Sequence, residues 1–181
     1  MKEIDLDFEM DGKLLNNTFY FDSLAVANQN NNVSSVATFR VGKNYKFFNF
    51  HFRSALIYQL TSDKFLFPLP QIIGRQIAYY QKHIFKKSLK VQLGVGISYA
   101  TAHYGYAYMP AINEFYVQSD ARIGSYPQWD VFINTRLKRA QIFLKYEHIN
   151  AGSNLSKAYG VPTYPILNKS LKFGVSWNLF D

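Results

Sequence analysis

His148 is the residue in this chain that most invites a chemical reading. Glu147 precedes it, and Asn150 and Ser153 follow close behind. A serine, a histidine and a carboxylate are the parts of a nucleophilic hydrolase. The local pattern works against that use, because neighbouring strand residues point to opposite faces and so part Glu147 from His148. The histidines His51, His83, His103 and His148 fall on separate segments without metal-ligand spacing. There is no cysteine, which removes disulfides and thiolate metal sites together. The GVG stretch at Gly94–Gly96 sits inside an alternating run, where glycine marks a bend or a crowded lumen rather than a phosphate loop. The expectation is a protein that is not an enzyme and uses neither cofactor nor metal.

Charge placed at every second residue suggests a different chemistry, that of a wet wall. Glu3, Asp5, Asp7 and Glu9 alternate with Ile4, Leu6, Phe8 and Met10. By the same alternation Arg40, Arg53, Lys90, Asp130, Arg136, Lys145, Glu147 and Lys172 face one way, opposite to bulky apolar neighbours. These twelve residues are the candidate lining of a pore. Acids and bases are equal in number, but four acids are stacked on the first segment. Two arrangements follow: a field across the lumen, or a network of internal ion pairs. The formal net charge of +8 raises nucleic acid as a partner. Its distribution lowers it again, since Lys43, Lys46, Lys86, Lys87, Lys138 and Arg139 fall in or beside expected turns, and no basic helix or zinc-finger spacing is present. No nucleic-acid partner is expected.

A third set of side chains offers contacts rather than charge. Tyr104 to Ser125 is too long for a simple connection and rich in aromatic surface, which would make a sticky patch if left in solvent. It is expected to fold over or into a barrel mouth as a constriction made of Tyr104, Tyr106, Tyr108, Pro110, Glu114, Phe115, Tyr116 and Gln118. In that reading Pro110 fixes the bend and Phe115 anchors it. Glu114, Tyr116 and Gln118 then share a face that could meet a solute. A hairpin that extends the wall beyond the membrane is the alternative.

The elements that must carry these residues are strands. In SLKFGVSWNLFD, Leu171, Phe173, Val175, Trp177 and Leu179 alternate with Lys172, Gly174, Ser176 and Asn178. The same period marks KEIDLDFEM, TFYFDSLAVANQ, VATFRVG, Tyr45–Leu60, Ile72–Phe85, Leu89–His103, Tyr126–Leu137, Ala140–Asn150 and Lys169–Phe180. That makes nine segments, or ten if NEFYVQ is a wall strand. Val91–Asn113 lacks Asp, Glu, Lys and Arg, yet its alternation and glycines reject a spanning helix. Most segments reach the roughly 9–11 residues of a membrane strand rather than the 5–6 of a soluble one. Aromatics make up 18% of the chain, and Tyr58, Tyr99, Trp129 and Trp177 stand at strand ends as interfacial girdles do. Short connections at Gly42–Asn44, Lys86–Ser88 and Lys138–Ala140 alternate with long ones. The fold expected is all-β: an antiparallel transmembrane barrel of the outer-membrane type, its oily face on lipid. A soluble β-sandwich would put the bulky residues inside.

The stretches IIGRQIAYYQKHIFKKSLKVQLGVG, YMPAINEFYVQ, YPQWDVFINTRLKRAQIFLKYEHINAG and YPILNKSLKFGVSWNLFD resemble the β-barrel porin family of Bacteroidetes outer membranes. The resemblance covers roughly Phe67 to Asp181. It implies an integral outer-membrane location, passive diffusion of small hydrophilic solutes, and recognition of the C-terminal strand by the barrel-assembly machinery. Asp181 after Phe180 departs from the usual terminal aromatic. MKEIDLDFEM has no basic start, apolar core or cleavage site of a signal peptide. Residues 1–181 are therefore expected to be a single barrel domain, the C-terminal part of a larger barrel with an incomplete wall of 9–10 long strands, open beside Glu3–Met10. A passive channel is the function expected. The end of a gated receptor, transporter or secretion barrel is the alternative, and a soluble β-sandwich binding module lies further off.

Overall fold

The computed structural model describes residues 3–86, 88–152 and 159–178, with side chains from Asp5 onward. Eight long strands form one antiparallel sheet in which each strand pairs with its neighbour in sequence order: β1 (Glu3–Leu15), β4 (Ser34–Phe47), β5 (Phe50–Thr61), β6 (Ile72–Ile84), β7 (Leu89–Ala100), β10 (Gln128–Leu137), β11 (Ala140–Glu147) and β14 (Ser170–Trp177). Short strands lie in the connections: β2 (Thr18–Phe21), β3 (Ala27–Asn30), β8 (Ala107–Met109), β9 (Glu114–Tyr116), β12 (Tyr159–Val161) and β13 (Tyr164–Pro165). The sheet is not closed among the described residues, because β1 and β14 are its two edges.

Two expected boundaries are corrected. Gly42–Asn44 is no turn; it pairs with Asp5–Asp7 on one side and Arg53–Ala55 on the other, inside β4. The reversal falls instead at Phe48 and Asn49, splitting the run read as one strand from Tyr45 to Leu60. Alternation continues straight through the reversal, so periodicity could not mark it. The signal lies in the backbone: Phe48, Phe85, Lys86 and Lys138, one or two in each short turn, adopt positive φ, as tight hairpins of this twist require. TFYFDSLAVANQ also leaves the wall and becomes the β2–β3 hairpin. The sheet therefore has eight long strands rather than nine or ten. With an even count, strand parity no longer argues for missing strands.

Short and long connections alternate strictly. Turns after β4, β6 and β10 are tight, whereas residues 16–33, 62–71, 101–127 and 148–169 are long. All tight turns thus lie at one end of the wall and all long loops at the other. Pairing register adds a stagger. The row through Glu9, Arg40, Ile57, Ile73 and Ala100 starts mid-strand in β1 and reaches the last residue of β7. The sheet is thus staggered, and at the tight-turn end the offset lies between β5 and β6, where Phe50 pairs with Tyr80, four residues short of the end of β6.

The wall is inside out relative to a soluble domain. Leu6, Phe8, Met10, Val41, Leu56, Leu93, Ile133, Leu144, Phe173, Val175 and Trp177 share one face and stay exposed, Phe173 at 79%. Tyr58, Tyr99 and Trp129 stand on that face near the long-loop end, and Trp177 stands near the tight-turn end. One polar break crosses it, Lys43–Ser54–Gln76, with the Ser54 hydroxyl donating to Gln76 Oε1. The buried apolar side chains, Leu66, Ala107, Val117, Ile123 and Ala151, all belong to the long loops.

Candidate functional site

The opposite face of the wall is polar, and the ladder decides its membership. Cross-strand partners share a face, so Asp5, Asp7 and Glu9 stand with Asn44, Gly42 and Arg40. Following the register, Arg53, Lys90, Asp130, Arg136, Lys145, Glu147 and Lys172 all come to this face. Glu3 contributes its backbone to β1 opposite Lys46, and its side chain lies outside the description.

These charges divide into two groups. Lys145 Nζ lies 2.9 Å from Asp130 Oδ2 and 2.8 Å from Glu147 Oε1, and Lys172 Nζ lies 2.6 Å from Glu147 Oε2. Two acids and two bases on three adjacent strands thus neutralise one another. Asp130 Oδ1 also accepts the backbone N–H of His148, tying the cluster to the loop after β11. Arg40 reaches Glu9 at 3.3 Å across the first strand pair. The other group has no such neutralisation. Among the described residues Arg53, Lys90 and Arg136 form no ion pair, and neither does Arg75, a cation on this face absent from the expected set. Arg53 instead stands over the ring of Tyr79, 5.6 Å from its centre, while His51 stacks on the same ring at 4.7 Å. Neither a uniform field nor a complete ion-pair network describes the face; each holds in one part.

An open hollow of about 850 Å³ lies on the polar face, lined by Asp5, Lys46, His51, Arg53, Tyr79 and Lys90 among others. Gln92 lines it too, and Gln92 with Lys90 also borders a second space of about 170 Å³ toward Asn134 and Arg136. Tyr79, His51, Gln81, Gln92 and Asn134 were missed because only charged residues were selected. The same alternation that placed Lys90 places Gln92. Two glycines on this face have a defined task. A Cβ on Gly94 would meet the Phe132 ring at 2.4 Å and the Ala78 carbonyl at 2.8 Å, and one on Gly174 would meet the Phe143 ring at 2.5 Å. Each ring reaches over the glycine directly opposite it.

The long loops form a cap of their own at the other end. β8 and β9 make a hairpin, and the backbone N–H of Val117 donates to the Phe21 carbonyl, joining it to β2–β3 in one four-stranded sheet. Gln118, expected to face solute, is buried and fully used: Nε2 donates to the carbonyls of Tyr104, Gly105 and Ala121, and Oε1 accepts from the backbone of Asp120 and Ala121. Phe115, expected to anchor the segment, remains half exposed against Tyr108; Val117, Ala107 and Ile123 are the buried anchors. Glu114 pairs with Met109 across the hairpin whose turn begins at Pro110, and Tyr116 pairs with Ala107. Tyr106 donates its hydroxyl to the Leu66 carbonyl of a different loop, and Tyr104 lies under the Arg122 guanidinium. The cap also reaches the polar face: Ile123, Gly160 and Ile166 line a 270 Å³ cavity with Ile73, Ser98 and Gln128.

His148 serves this junction. Its ring is 1% exposed, with Nδ1 donating to the Leu167 carbonyl at 2.7 Å and Nε2 bonded to the Tyr126 hydroxyl at 2.9 Å. Both nitrogens are engaged inside protein, and Ser153 lies outside the described residues.

Residues 1–181 are matched throughout by the model of a family described as "Putative porin". The chain belongs to that porin family. Its match extends upstream of Phe67 to cover the whole chain. No curated protein and no solved structure matches the porin chain.

Proposed function

We propose that this porin-family chain forms part of the wall of an outer-membrane channel for passive diffusion of small hydrophilic solutes. The observation that carries the reading is the two-sided wall: exposed bulky side chains on one face, and on the other a charged surface with an open hollow of about 850 Å³. Lipid is the solvent that suits the first face and water the second. Tight turns then lie on the periplasmic side and the long loops outside, as outer-membrane barrels sort them.

Strand number bears on the domain reading. Eight strands closed on themselves leave an interior that side chains fill, whereas diffusion porins use about twice as many. The channel reading therefore asks for further strands at the edges β1 and β14, with residues 1–181 as the C-terminal part of a larger barrel. The C-terminal strand serves the barrel-assembly machinery, lipid is the partner of the apolar face, and no enzymatic step is assigned. A gated or plugged barrel is the second reading. It is favoured by the cap, whose loops share a buried core and close on Ile73, Ser98 and Gln128.

Purified protein in a planar bilayer tests the choice. Discrete ohmic conductance supports the diffusion channel. A silent protein that conducts once residues 107–117 are removed supports the gated one. Recovery of the protein in a soluble fraction without detergent overturns both.

A further inference from the structure

One row of the polar face is built against itself. His83 stands opposite Lys90, and Lys90 stands opposite Arg136, on three adjacent strands. Lys90 and Arg136 are like charges, and like charges directly opposite in a ladder destabilise it. Three such strands set their side chains over a span of roughly 10 Å. Among the described residues no carboxylate pairs with Lys90 or Arg136. The row continues into Gln141 and Ser176, which are donors without negative charge.

The next row toward the long loops is ordered and neutral. Asn134 Nδ2 donates to Gln92 Oε1 at 3.4 Å, and Gln92 Nε2 donates to Gln81 Oε1 at 2.9 Å. This amide ladder holds one side of the 170 Å³ space whose other side is Lys90, Arg136 and Gln141. Lys90 and Gln92 also line the larger cavity, which carries Arg53. Among the described residues the carboxylate lining that cavity is Asp5, which accepts a hydrogen bond from Asn44.

The contrast with the same face further along is informative. Where β10, β11 and β14 carry Lys145 and Lys172, the chain supplies Asp130 and Glu147 within 3 Å. Where β6, β7 and β10 carry His83, Lys90 and Arg136, it supplies amides. Cations set side by side with neutral donors around an open space are the arrangement that receives an oxyanion from outside, with the Arg fork as its bidentate element.

We propose that the Lys90–Arg136 pair, with Gln92, Asn134 and Gln141, is an oxyanion-binding station at the tight-turn mouth. It takes solutes bearing phosphate or carboxylate groups and biases the channel toward anions. The consequence for permeation rests on the channel reading; the binding does not.

Titration calorimetry with inorganic pyrophosphate tests it on the full chain folded in a phosphate-free detergent. Saturable binding is expected, weakened at least about tenfold in Lys90→Gln/Arg136→Gln and weakened less in Arg136→Lys, which keeps the charge but loses the fork. Arg40→Gln, which touches only the Glu9 pair, should bind as the parent does. Equal affinity in parent and double variant, or no binding to the parent, overturns the station. Heat-shifted migration on gels shows that each variant is folded. In a bilayer under a salt gradient, reversal potential should move from anion preference toward neutrality in the double variant. Pyrophosphate binding without conductance keeps the station and removes the channel; conductance with the parent's selectivity in the double variant keeps the channel and overturns the anion bias assigned to the station.

Discussion

Wall and cap are made by one chain and obey opposite rules. In the wall, side chains as large as Phe173 and Trp177 lie exposed on one face while charge collects on the other. In the cap, Val117 and Ala107 are buried and polar groups are spent on backbone. On the membrane reading proposed above, the difference is one of solvent. A wall facing lipid has no reason to bury apolar surface, and its order comes from the ladder. A cap in water must build a core from short segments with little surface, so each polar group it buries has to be bonded. The two regions should therefore fail differently under mutation.

The largest effect expected is in the cap. Gln118→Leu keeps the volume but strands three carbonyls and two N–H groups that the amide serves. Loss of about 3 kcal/mol of local stability follows from orphaning several buried groups together. Limited proteolysis within residues 101–127 should become fast while the wall keeps its heat-shifted migration on gels. If the wall unfolds with the loop, the cap is not an independent unit and the comparison breaks.

Two glycines sharpen the same contrast within the wall. Gly94→Ala must displace the Phe132 ring and the Ala78 carbonyl, a cost of about 2 kcal/mol for overpacking at backbone. On Gly96 a Cβ would meet nothing nearer than Asp130 at 4.0 Å, so Gly96→Ala should be neutral or slightly stabilising. Urea unfolding in lipid vesicles measures both. Equal effects would mean that the ring over Gly94 is not part of the folded wall.

How far the sequence revealed each region follows from the same physics. Alternation is a local property, so the faces of β6, β7, β10, β11 and β14 were legible from single segments, and with them the side on which Lys90 or Glu147 stands. A reversal inside an unbroken alternation was not, which is why Phe48–Asn49 was missed and Gly42–Asn44 taken for a turn. The cap was legible only as surface that needed cover. That Gln118 rather than Phe115 fixes it depends on carbonyls brought together by chain return, and no spacing encodes that. Apart from Glu3, whose side chain is not described, the candidate charges share one face of the sheet. Which would be neutralised was hidden, since Lys145 meets Asp130 across strands, at a register that only the fold sets.

Lys145→Met tests the neutralised part of the wall. It leaves Asp130 and Glu147 facing each other with only Lys172 nearby. The groups are partly open to water, so the loss should be about 1–2 kcal/mol, short of the full penalty for a buried pair. Lys90→Gln, which removes a like-charge neighbour of Arg136, should be neutral or stabilising by a few tenths of a kcal/mol. Thermal melting in detergent distinguishes them. A destabilised Lys90→Gln would show that its row is internally paired after all.

The remaining destabilising effect is the one that pH can switch. Tyr106 joins two loops by donating its hydroxyl to the Leu66 carbonyl. Burial first, and the negative charge of Asp63 second, hold its ionisation above the ordinary value of 10.0. A tyrosine raised in the folded state stabilises fully below its unfolded value and loses that contribution as pH rises through the folded one. The cap should therefore be indifferent to pH in the neutral range and loosen in the alkaline range above about 10, where the hydroxylate can no longer donate. Tyr106→Phe removes the bond at every pH, costing about 1 kcal/mol, and should remove this alkaline step. Proteolysis rates within residues 62–71 and 101–127, followed across pH in parent and variant, read both. Parallel curves would mean that another group governs the alkaline opening. A parent curve that bends alone assigns the step to Tyr106, and shows that the cap is held by bonds between loops as the wall is held by its ladder.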